Sequence, residues 1–171
     1  MHLNILEGQF LNRSGWLDKF IGGWQVNGNT TFQSGSPLQI TGGNGSGSFT
    51  GTQRPNWDGR NPTLSGSVTD RLLKYFNTAD FSFNAPFTFG NTPRIMPNLR
   101  GPGTDNFDVS LFKNTHLTER YQLQFRAEAF NVFNRVQFGN PNTNINSTAF
   151  GVISSQQNIP RNIQLGLRLL F

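Results

Sequence analysis

Apolar and polar positions alternate strictly along several stretches of the chain, and the clearest comes last. Ile163, Leu165, Leu167, Leu169 and Phe171 take the odd positions, while Asn162, Gln164, Gly166 and Arg168 take even ones. A period of two belongs to a strand and not to a helix. With 35% of the chain hydrophobic, five apolar residues at five set positions arise by chance in about 0.5% of windows. Taken as residues 161–171 and tilted by ~40°, the strand climbs about 27 Å, close to the ~25 Å apolar band of an outer-membrane barrel.

The same period appears earlier. Trp24, Val26, Gly28, Thr30 and Phe32 share one face, opposite the uncharged polar residues Gln25, Asn27, Asn29, Thr31 and Gln33. Phe107, Val109, Leu111, Thr115 and Leu117 share another, with Phe112 and Lys113 breaking the pattern. After a turn at Thr118-Glu119, the alternation resumes with Tyr121, Leu123, Phe125, Ala127 and Ala129 apolar, against Arg120, Gln122, Gln124, Arg126 and Glu128. At Ala129-Phe130 two apolar residues are adjacent, the mark of a bulge or a strand end. These patterns predict strands near 20–33, 105–117, 119–130 and 161–171. Leu3 and Ile5 read as the tail of a further strand, Leu11 to Gly15 as a turn, and Trp16 to Ile21 as a short amphipathic turn. The expected fold is all-β: an antiparallel transmembrane β-barrel segment of about four or five strands with long extracellular loops, an incomplete barrel.

Between the strands lie two long connections, 41–104 and 135–160. The first opens on a glycine-rich flexible run, Thr41 to Ser48, and regular pairing is not expected again until Asp105. Within it Val68 to Phe76 reads as a capped helical turn or two, with Leu72, Leu73 and Phe76 on one side. The many Phe residues from Phe81 to Phe89 predict a folded loop, because they need burial. In the second connection Phe138-Gly139 and Phe150-Gly151 are the expected anchors. Short turns alternating with long connections is the habit of outer-membrane barrels, and strand direction puts Trp24, Tyr121 and Phe171 at one membrane edge and Phe32 and Phe107 at the other.

Composition sharpens this picture. The chain has 171 residues with 19 Gly, 9 Pro and 17 Phe against 2 Tyr and 3 Trp, many turns and much aromatic surface for little aliphatic mass. No window approaches the eighteen apolar residues of a membrane helix, which leaves barrel strands untouched. Cysteine is absent, so disulfides and thiolate metal sites are excluded. The net charge of +5 comes from scattered residues with no Lys/Arg run, so no nucleic-acid partner is expected. No charged and apolar leader is visible at Met1 to Glu7, so either the chain is a fragment of something longer or the envelope reading is wrong.

Several segments carry a family likeness: Gly22-Gly23-Trp24-Gln25-Val26 with Ser34-Gly35-Ser36-Pro37; Arg100-Gly101-Pro102-Gly103 running to Phe107-Asp108-Val109-Ser110-Leu111-Phe112-Lys113-Asn114; Phe125 to Asn134; Phe138-Gly139-Asn140-Pro141; and the last strand with Phe171. In this order they resemble the C-terminal end of a TonB-dependent outer-membrane receptor of the Oar-like subgroup, which carries a carboxypeptidase-regulatory-like domain. The resemblance covers most of residues 20–171 and implies a 22-stranded barrel with an internal plug, energised by TonB for nutrient uptake at the cell outer membrane. The plug and most of the strands have no counterpart here. It also implies partners: outer-membrane lipid, the remaining barrel and plug and through them TonB, and the barrel-assembly machinery, which reads the terminal strand of Leu165, Leu167, Leu169 and Phe171.

Candidate sites are few. Trp24, Tyr121, Phe32 and Phe107 are the expected membrane girdle. Arg120, Arg126, Glu128 and Arg168 share the polar, lumen-facing side, as an ion-pair ladder or a contact with plug or substrate. His2 and His116 are far apart in sequence and make no metal pair, and no catalytic constellation appears, so the expectation is a non-enzyme without cofactor or metal. Arg54, Asp58, Arg60, Arg94 and Arg100 lie with Trp57 in the long loop, as a self-packed loop or a ligand-gripping surface. A soluble carbohydrate-binding module is the competing class, at odds with the long connection and the apolar last strand.

Overall fold

The computed structural model describes residues 21–43 and 53–171. In chain order the strands are β1 (Trp24–Gln33), β2 (Asn56–Trp57), β3 (Phe81–Ser82), β4 (Thr104–His116), β5 (Gln122–Phe130) and β6 (Asn162–Leu170), with single-turn 3-10 helices at Thr69–Arg71 and Thr78–Asp80. The expected strand tail at Leu3 and Ile5, the turn at Leu11 to Gly15, nearly all of the amphipathic turn and the run from Asn44 to Ser48 lie outside the described residues. The chain forms two compact units.

The first unit is a four-stranded sheet in the order β1-β4-β5-β6. β4 and β5 pair antiparallel from Val109↔Ala129 to His116↔Gln122, and β5 and β6 from Gln122↔Leu170 to Phe130↔Asn162. β1 runs against β4: the Asn114 amide donates to the Gly23 carbonyl at 3.0 Å, and Phe32 meets Phe107 at the other end. Chain direction follows from one tight turn. The amides of Leu117 and Thr118 donate to the Tyr121 carbonyl at 2.9 and 3.3 Å, while the Thr118 hydroxyl accepts from the amides of Arg120 and Tyr121 at 3.3 and 3.1 Å. A threonine at the turn's corner supplies an acceptor that the loop backbone lacks.

At the opposite end β5 stops at Phe130, a strand end and not a bulge. Asn131 and Asn134 both take φ of 51°, the left-handed region that asparagine tolerates best after glycine. The Asn131 side chain is 5% exposed and fully used: Oδ1 accepts from the Arg135 amide at 2.9 Å, and Nδ2 donates to the carbonyls of Arg135 and Ile159 at 3.0 and 3.2 Å. Its own amide donates to Asp108 Oδ1 at 2.9 Å. One residue thus ties the exit of β5 to β4 and to the chain entering β6. Asn131→Ala should lower the folding stability by about 1–3 kcal/mol, since buried polar partners are left unpaired; the midpoint of urea unfolding checks this.

The second unit is built from residues 33–104 and 137–158. Its core is Leu38, Ile40, Tyr75, Phe76, Phe81, Met96, Leu99 and Ile153, all buried, with Trp57, Leu72, Phe138 and Phe150 among the residues packed on it. Phe76, Phe81 and Phe150 form a triangle of edge-to-face rings with centroids 5.2 to 6.0 Å apart, the arrangement aromatic quadrupoles prefer. The two long connections are therefore one body. The Tyr75 amide donates to the Gly151 carbonyl and the Ile153 amide to the Leu72 carbonyl, both at 2.8 Å.

Three sequence expectations need correction here. Pairing does return before Asp105: β2 pairs with β3, and the Leu38 amide donates to Leu99 while the Met96 amide donates to Leu38, at 2.9 and 2.8 Å. The helical turn at 68–76 shrinks to Thr69–Arg71, and Leu73 points out, 83% exposed, while Phe76 is 0% exposed. The loop is folded, but Phe83, Phe87 and Phe89 do not fold it, being 55%, 70% and 79% exposed. Phe87 has φ of 61° in the turn after Pro86; the core is filled instead by Phe76, Phe81 and Tyr75 with aliphatic residues and Met96.

Gly35 explains why a glycine stands in its motif. A Cβ there would lie 1.7 Å from the Gly101 carbonyl oxygen, so the backbones of Ser34-Gly35-Ser36-Pro37 and Arg100-Gly101 approach closely only without a side chain. The Gly101 amide donates to Ser36 at 2.9 Å and seals the contact.

Candidate functional site

The sheet has two chemically distinct faces, and the register aligns them. On one face the rows are Leu123 with Thr115 and Leu169, Phe125 with Lys113 and Leu167, Ala127 with Leu111 and Leu165, and Ala129 with Val109 and Ile163. Nothing in the described chain covers much of this face: Ile163, Leu165, Leu167 and Leu169 are 50–72% exposed. An apolar stripe continuous over several strands and open to the outside is a surface for lipid or for another protein.

Lys113 is the one cation on the paired rows of that face among the described residues, and its surroundings account for it. Its Nζ donates to the Gly22 carbonyl at 3.0 Å and sits 4.7 Å from the Trp24 ring centroid. Trp24 also meets Phe125 edge-on at 6.5 Å. These groups lie near the short-turn end, where an ammonium reaches the water interface along its alkyl stem. Phe112, the other break in pattern, stands on the polar face with the Arg126 guanidinium 4.7 Å from its ring centroid.

The polar face carries Gln124 between Asn114 and Arg168, and Glu128 between Ser110 and Gln164. Gln124 Nε2 donates to Asn114 Oδ1 at 3.0 Å. Arg126 and Glu128 are at 3.8 Å, with the Arg126 side chain half-exposed and that of Glu128 23% exposed, a loose pair worth little by itself. Arg168 lies opposite Gln124. Arg120 does not join them: it is exposed in the turn before β5, because the strand begins two residues later than the alternation suggests.

Of the aromatic positions, Tyr121 lies in the same turn, 46% exposed, and Phe171 follows the end of β6, 96% exposed. Trp24 opens β1 at that same end of the sheet. At the other end Phe32 meets Phe107 edge-on at 5.3 Å, and Phe107 meets Phe133 at 5.0 Å. Phe133 escaped the sequence reading because it follows the end of β5, where a period of two no longer applies.

Of the loop residues singled out in the sequence, Asp58, Arg60, Trp57 and Arg100 bond within the folded loop unit itself. Asp58 and Arg60 pair with each other at 3.5 Å, and Trp57 Nε1 donates to the Arg60 carbonyl at 2.8 Å. Arg100, itself exposed, donates from Nη1 to the Gly35 carbonyl at 2.9 Å. Among the described residues no three His, Asp or Glu side chains converge as a metal site, and His2 lies outside them.

A two-faced antiparallel sheet with a tight turn, long connections between its strands and an open apolar side is the construction of an outer-membrane β-barrel wall. The family model of the outer membrane beta barrel domain matches residues 1–164, and the chain belongs to that family. It is an outer-membrane protein, its all-β barrel segment not closed on itself. No curated protein and no solved structure matches the chain. Membership in this family sets aside the soluble carbohydrate-binding module.

Proposed function

We propose that the chain is the C-terminal portion of the barrel of a TonB-dependent outer-membrane receptor of the Oar-like subgroup, working in nutrient uptake and inactive without the rest of the receptor. The observation that carries this reading is how the motif segments meet. Ser34-Gly35-Ser36-Pro37 closes on Arg100-Gly101, and the Asn131 amide and the Val132 amide donate to Asp108 and Phe107. The segments that carry the resemblance are thus also those that hold each unit together. In this reading the apolar face meets lipid, the polar face with Arg126, Glu128 and Arg168 lines the lumen against the plug, and Trp24, Tyr121, Phe32 and Phe107 are girdle residues. Its partners are the remaining barrel and plug, through them TonB, and the barrel-assembly machinery. No catalysis, cofactor or nucleic acid is assigned to it.

Joined to the plug and N-terminal strands of a receptor of the same subgroup, the chain should restore nutrient uptake in cells with TonB and not in cells without it. Uptake indifferent to TonB rejects the reading. A second expected result concerns the chain alone. Among the described residues β1 and β6 each have one strand neighbour in the sheet, and lipid cannot satisfy the unpaired groups of such edges. Planar bilayers given the purified chain should show no discrete conductance; uniform channels from the monomer would contradict it.

A further inference from the structure

The folded loop unit holds a cleft of about 430 Å³ with Asn61, Thr63, Arg71, Tyr75, Asn98 and Arg100 in its lining, within the ~300–1,000 Å³ range of small-molecule sites. Its charge is one-sided. Neither arginine has a carboxylate within 4.0 Å among the described residues; the ion pairs there are Asp58 with Arg60, Glu128 with Arg126 and Asp105 with Arg135.

Local structure fixes both cations. Arg71 donates from Nε to the Ser67 carbonyl at 3.3 Å and from Nη1 to the Leu64 and Tyr75 carbonyls at 2.8 and 3.3 Å, and its guanidinium carbon lies 4.8 Å from the Tyr75 ring centroid. Nη2 remains for a ligand. Arg100 is held through Nη1 by the Gly35 carbonyl, with Nε and Nη2 remaining. Two preset guanidiniums with spare N–H groups are a receptor for a planar anion.

The uncharged lining narrows the anion. Tyr75 is 5% exposed, yet its hydroxyl has no hydrogen-bond partner among the described residues. Burial raises its pKa above the ordinary 10.0, with Arg71 opposing, so at neutral pH the hydroxyl keeps its proton and can donate it. Asn61 Nδ2 and the Asn98 carboxamide are likewise unpartnered, since Asn61 uses only Oδ1, for the Thr63 amide at 3.2 Å, and Asn98 only its carbonyl, for the Thr63 hydroxyl at 2.6 Å. Carboxamides both donate and accept, which matches hydroxyl groups. Inorganic phosphate offers at most one or two P–OH donors on a compact ion, whereas a sugar's ring carries several hydroxyls spaced to meet Asn61, Asn98 and Tyr75 together.

We propose that this cleft binds an acidic sugar, its carboxylate between Arg71 and Arg100 and its hydroxyls against Asn61, Asn98 and Tyr75. The site belongs to the folded loop unit and does not depend on energised uptake. The test uses the full chain folded in detergent micelles and isothermal titration with galacturonate. Galacturonate should bind, and galactose, galacturonate methyl ester, N-acetylglutamate and inorganic phosphate should each bind about tenfold or more weakly. Arg100→Gln should weaken galacturonate by about tenfold, and Asn98→Ala, which removes an exposed side chain without protein bonds, by a few-fold; Arg60→Gln should change nothing. The proposal is overturned by absence of galacturonate binding, by equal binding of any comparison compound, or by normal binding in both Arg100→Gln and Asn98→Ala. Because the readout is binding to the chain itself, its failure leaves the transport reading standing, and TonB-independent uptake leaves the cleft standing.

Discussion

Leu165→Arg should destabilise the protein in lipid by about 2–4 kcal/mol, the cost of a guanidinium on the lipid face near the bilayer midplane. Leu165 pairs with Ala127, which pairs in turn with Leu111, a row with others on either side, and it is 72% exposed. Depth and exposure are both unfavourable for a charge there. Gln124→Arg should instead cost under about 1 kcal/mol, because Gln124 lies on the polar face and already donates to Asn114 Oδ1, a bond an arginine can keep. Urea titration of each variant in phospholipid vesicles reads the difference. Equal losses would reject the assignment of faces, and with it the lipid-facing reading of β6.

Removal of Phe171 should abolish assembly of the joined receptor. Phe171 follows the outward row of Ile163, Leu165, Leu167 and Leu169, and it is 96% exposed. Beside it β6 has one paired edge, toward β5, and one edge that meets no other strand among the described residues, which in the proposed reading is the template for strand addition by the barrel-assembly machinery. With the missing N-terminal part and a signal peptide supplied, the deletion should accumulate in the periplasm and be degraded, while Phe171→Tyr should reach the outer membrane. Normal outer-membrane levels of the deletion would leave Phe171 an ordinary interfacial anchor. Normal assembly of Phe171→Leu would show that any large apolar residue suffices there.

How far these expectations were legible in the sequence varies by element. β4, β5 and β6 fall within a residue or three of the expected 105–117, 119–130 and 161–171, because a strand with one open apolar face must alternate. The same regularity marks its exceptions. Lys113 and Phe112 interrupt the pattern, but that one is held by Trp24 and the Gly22 carbonyl and the other lies beneath Arg126 depends on neighbours from other strands. Arg120 was misplaced onto the polar face because parity was carried past the strand's start into a turn.

The long connections show the opposite case. That they fold, with Phe138 and Phe150 as anchors, follows from the need to bury aromatic mass. Their union into one core does not, since Phe76 meets Phe150 across a sequence separation that no periodicity spans. Which phenylalanines are buried was equally hidden: Phe81 is inside while Phe83, Phe87 and Phe89 are outside, a choice made by the packing of Phe81 against Phe76 and Phe150. Arg100 was a visible candidate, whereas its partnership with Arg71 and Tyr75 arises only when Leu38 pairs with Leu99 and the core closes around Tyr75. Strand faces were written in the order of residues because each side chain's side is a local property of an extended backbone. The cleft, the aromatic triangle and the ties at Asn131 needed the tertiary structure, because each depends on segments whose separation along the chain carries no local signal.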